Sequence, residues 1–117
     1  MENKITDLMT IRNIIKRFWG YKVNLVIPYP EERKVVARLY DAFEFKFQLA
    51  YEHYKELFHA SLLIPDNVAI DRLLGVDAWK TPTMENIISI LEAVDRYCRL
   101  RLPDKYLEAF DEAYANK

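Results

Sequence analysis

Glycine is nearly missing from this chain, with Gly20 and Gly75 the only two in 117 residues. Phosphate-cradling loops need several glycines so that backbone N–H groups can approach an anion. The strained turn that presents a nucleophilic serine needs them on both sides of it. Both classes of site are excluded. Cysteine is scarcer still: Cys98 stands alone and cannot close a disulfide within the chain. No apolar run approaches the length of a membrane span or a signal-peptide core, so no membrane partner is expected and the cytoplasm is the expected compartment. An excess of one charge is missing too. Seventeen basic and eighteen acidic residues leave a formal net charge of -1, which gives no overall field to draw in nucleic acid.

What is present suits a folded core: 51% of residues are hydrophobic and 30% charged, far from the balance of a disordered chain. The length fits one domain spanning residues 1–117. A first amphipathic helix is predicted after Thr6 or Asp7, carrying Leu8, Ile11, Ile15 and Phe18, with Gly20 ending it. Tyr21 to Ile27 alternates like a short extended segment that Pro28 and Pro30 stop. Pro30 then suits the first turn of a helix, Glu31 and Glu32 complement its dipole, and no Gly or Pro follows until Pro65. Val36, Tyr40, Phe43, Phe47, Ala50, Tyr54 and Leu57 mark an apolar stripe at helical spacing. One long helix is expected there, from Glu31 to about Leu63. A short helix with Val68, Ile70, Leu73 and Leu74 should follow, then one opened by Thr81 and Pro82, and a last one after Pro103. The expected fold class is all-α: a compact bundle of four to five helices around one long central helix.

Candidate chemistry is sparse. Glu56 and His59 have the Glu-x-x-His spacing that places two metal ligands on one helical face, but a second copy is lacking. The aromatics crowding the long helix could line a pocket for a flat ligand with His59 beneath it, although the same spacing serves a core. Asp41 and Glu44 form a carboxylate pair that helical spacing alone explains. Cys98 falls near a helix end, where the dipole disfavours a thiolate, and reads as a packing residue. Arg96, Arg99, Arg101 and Lys105, with Tyr97 among them, make the densest basic cluster, which a helix C-terminus favours without any nucleic acid.

These readings point to a non-enzymatic interaction or regulatory module that binds another protein, or a second copy of itself, through a helical surface and without a cofactor or metal. Two alternatives remain, a small enzyme or metal-binding bundle using Glu56 and His59, and a nucleic-acid binder using the basic cluster. A long helix would extend about 50 Å, against about 35 Å for a compact domain of this size. Phe45, with Ala42 and Leu49, interrupts its polar face and forms a small apolar patch, expected either as a contact surface or as a face covered by another helix of the same chain. Trp79, in a loop, is expected to plug the end of the bundle, with a role as partner anchor the alternative.

Overall fold

The computed structural model describes residues 4–63 and 79–114. The helix expected after Pro65, with Gly75 as its stop, lies outside the described residues. The all-α expectation is overturned: three helices among the described residues accompany a four-stranded antiparallel sheet, and the long central helix does not exist.

Helix α1, Leu8–Trp19, begins where the sequence places it. Asp7 caps it, its carboxylate accepting from the Thr10 backbone N–H at 3.1 Å, and Gly20 ends it at φ 56°, in the left-handed region that glycine tolerates best. One tight turn leads into β1, Val23–Tyr29. Pro30, Glu31 and Glu32 do start a helical turn, but it is a single 3₁₀ turn, because Arg33 enters the left-handed region at φ 55° and redirects the chain. Strands β2, Lys34–Leu39, β3, Phe43–Glu52, and β4, Lys55–Leu63, then fill the stretch read as a helix. The strands are ordered β1-β2-β3-β4.

The reason lies in a period of two. Along β3, Phe43, Phe45, Phe47 and Leu49 are buried while Glu44 faces solvent and Lys46, Gln48 and Ala50 are half-buried. Val35, Ala37 and Leu39 repeat the pattern on β2, and Phe58, Ala60 and Leu62 on β4. Register brings them together: Val35, Phe47 and Ala60 form one row, Ala37, Phe45 and Leu62 the next. A one-residue slip of β3 would turn three phenylalanines into water, each worth about 2 to 3 kcal/mol of burial, so the register is strongly specified. Ile11, Ile15 and Trp19 of α1 complete this core, with Ile87, Leu91, Val94 and Cys98 from α2, Met84–Arg101. Thr83 caps α2 and α3, Asp104–Tyr114, follows it.

Three irregularities shape the sheet. Leu25, at φ 52°, sits in a bulge where the β1 to β2 register shifts. The β2–β3 turn carries Tyr40 and Asp41 at φ 54° and 53°, and the β3–β4 hairpin turns on His53 and Tyr54 at φ 50° and 64°. On the far side of β4, Lys80 and Phe58 exchange two backbone hydrogen bonds of 2.9 and 2.7 Å, and the Ile5 N–H donates to Pro82.

Candidate functional site

The two flanking helices run side by side in the same direction. Ile5 is hydrogen-bonded to Pro82 just ahead of both, and at the end of α1 the Trp19 indole N–H donates to Asp95 at 3.0 Å, 76 positions along the chain. Their apolar stripes are wider than the core requires. Beyond Ile11, Ile15 and Trp19, α1 carries Ile14 and Phe18. Beyond Ile87, Leu91 and Val94, α2 carries Met84 and Ile88. These four line the floor of a groove of about 360 Å³, with Thr10, Asn13 and Arg17 on the α1 side. Ile14, Phe18 and Ile88 are half-buried and Met84 is exposed. The groove is amphipathic, and among the described residues that line it Arg17 alone is charged. Helix α1 holds Arg12, Lys16 and Arg17 and no acidic residue, whereas Met84, Ile88 and Glu92 form one i, i+4, i+8 ridge of α2.

Beneath the far end of the groove lies a polar cluster with a different purpose. The Asp95 carboxylate accepts from the Trp19 indole and from the Tyr40 phenol, and the Tyr106 phenol donates to the Tyr40 carbonyl. Asp41 accepts from Asn24 and from Tyr114, each at 2.8 Å. Burial, and then the bond to Asp95, pushes the Tyr40 phenol far above its ordinary range. Burial, and then the Asp95 charge, does the same to the Cys98 thiol. Neither group supplies a nucleophile or base at neutral pH. The cluster fastens α1, the β2–β3 turn, α2 and α3 to one another.

The residues singled out from sequence scatter. Phe45 is fully buried with Trp19 against it, ring centroids 5.2 Å apart; Leu49 is buried and Ala42 half-buried beside the core, so the chain itself covers the apolar patch. Trp79, 42% exposed, plugs no bundle; its ring leans on His59 at 5.2 Å. Glu56 and His59 lie three residues apart on β4, where odd spacing sends side chains to opposite faces. Glu56 pairs with Arg33 instead. Among the described residues no group of three His, Cys, Asp or Glu side chains is arranged to hold a metal. Of the basic cluster, Arg99 sits among Tyr40, Asp95 and Asp111, which raise its pKa, and Arg101 lies over the Tyr97 ring at 5.9 Å. Arg96 remains exposed on α2 and Lys105 on α3. Helical spacing turns Arg101 about 140° from Arg96, so the cluster is not one face. The groove escaped sequence reasoning, although its signal was present: Ile14 and Phe18 widen the stripe of α1 beyond what one buried face uses. Compared with protein-family models, curated proteins and solved structures, the chain finds no match, and its function has to be argued from these residues.

Proposed function

We propose that this chain is a non-enzymatic protein-interaction module that binds through its helical side, in the groove between α1 and α2. The observation that carries the reading is the groove floor itself. Ile14, Phe18, Met84 and Ile88 leave apolar area in contact with water although the core is already closed beneath them. Apolar floors with polar rims are what partner side chains fill. The strongest candidates for chemistry support the same reading, because Tyr40, Asp95 and Cys98 are engaged in holding the fold. We place the protein in the cytoplasm, which suits a buried thiol without a disulfide partner. No described helix is long and apolar enough to cross a membrane.

The test is photo-crosslinking in the native host, with a benzophenone side chain replacing the exposed Asn13. A discrete protein adduct is expected from that position, abolished by Met84→Glu and missing when the probe replaces exposed Glu108 on α3. Adducts of equal yield from both positions would defeat the groove as the binding surface.

A further inference from the structure

We propose that the occupant of the groove is a second copy of this chain, packed about a two-fold axis that runs along the groove. The inference rests on the reading of the groove as a protein-binding surface and adds the identity of the partner.

The argument is electrostatic and geometric. Arg17 lines the α1 wall of the groove, and on α2 the exposed Glu92 lies one turn beyond Ile88, which lines the other wall. The helices run in step, so that Trp19 lies level with Asp95 and Arg17 therefore lies close to the level of Glu92. Among the described residues neither Arg17 nor Glu92 has an ion-pair partner, and both are exposed. A two-fold operation presents the same patch to itself, so the surface must be self-complementary. An axis lying across the helices would set α1 against α1, which has no acidic residue to meet Arg17. An axis along the groove sets α1 of each protomer against α2 of the other at unchanged height. Each Arg17 then faces the other protomer's Glu92, and the apolar residues of the two floors close on each other. The four apolar side chains supply the contact, and the paired charges select its orientation.

The experiment is sedimentation equilibrium of the full chain and its charge variants, with circular dichroism confirming the fold of each. The wild type is expected as a dimer of about 28 kDa, twice the 14.0 kDa chain. Arg17→Glu and Glu92→Arg should each weaken dimerisation by about tenfold or more, since each change puts two like-charge contacts into a symmetric interface. Combining both should restore affinity to within about threefold of wild type. A monomer at high concentration, or a dimer indifferent to both reversals, would overturn the proposal. If the monomer still yields a groove-specific adduct from position 13, the partner assignment alone has failed. If it yields none, the reading of the groove falls with it.

Discussion

Two turns of this sheet adopt the same unusual backbone for different reasons. Tyr40 and Asp41, and again His53 and Tyr54, are consecutive non-glycine residues in the left-handed region, where each costs about 1 to 2 kcal/mol. At the first turn the surroundings hold the strain. Tyr40 is fully buried, its phenol, carbonyl and N–H are all hydrogen-bonded, and the Asp41 carboxylate accepts from two side chains. At the second, Tyr54 is 92% exposed, and the hairpin's own ladder, closed by Glu52 and Lys55, holds the turn. The same dihedral angles are imposed by tertiary structure in one place and by strand pairing in the other.

Asn-Gly, the pair that a two-residue hairpin takes without strain, separates the two cases. Tyr40→Asn combined with Asp41→Gly should lower stability by about 3 to 5 kcal/mol in urea unfolding, because the loss of a buried ring outweighs relieved strain. A net gain there would show that the turn is locally determined after all. A smaller probe is Tyr40→Phe, which keeps the ring and removes the donor to Asp95. A loss of about 1 to 2 kcal/mol at neutral pH is expected. The alkaline response sharpens it. The phenol's pKa is raised on folding above its ordinary 10.0, so its contribution is fully present below pH 10 and fades as the pH rises beyond, once the unfolded chain ionises. Tyr21, Tyr106 and Tyr114 shift the same way. Denaturation midpoints above pH 10 should therefore fall in the wild type, and less steeply in Tyr40→Phe. The smallest effect, and the only favourable one, belongs to the exposed hairpin. His53→Asn with Tyr54→Gly should raise stability by about 1 kcal/mol. A loss would mean that the His53 and Tyr54 side chains make stabilising contacts of their own.

The same turns explain how far the sequence could be read. Asp7, Gly20 and the Thr81 to Thr83 stretch are chemically explicit signals, and α1 and α2 begin or end beside them. The extended segment after Tyr21 became β1, two residues later than its pattern suggests. The stretch from Lys34 to Leu63 failed because its turns contain no Gly, Asn or Pro to announce them. Phe43, Phe47 and Ala50 also satisfy a helical period by coincidence. The alternation of Phe43, Phe45, Phe47 and Leu49 was legible. In the helical reading Phe45 stood out as an anomaly on a polar face, and it is instead one of the most deeply buried residues of the sheet. That burial removes the patch as a contact surface. The groove was hidden for a related reason: it needs α1 and α2 side by side, a juxtaposition that no pattern within either helix specifies.

The guarded margins of the sheet have one more effect. Strands with open backbone groups at an edge invite identical molecules to add on, the route by which sheets grow into fibrils. Here β1 is bent by the bulge at Leu25, carries Pro28, which has no N–H to offer, and has its Val26 carbonyl taken by Arg12. At the other margin, Lys80 already occupies both backbone groups of Phe58. Ribbon-like polymerisation through main-chain pairing is thereby discouraged at both ends, and copies of this molecule that meet at high concentration can do so as discrete bodies rather than as additions to a growing filament.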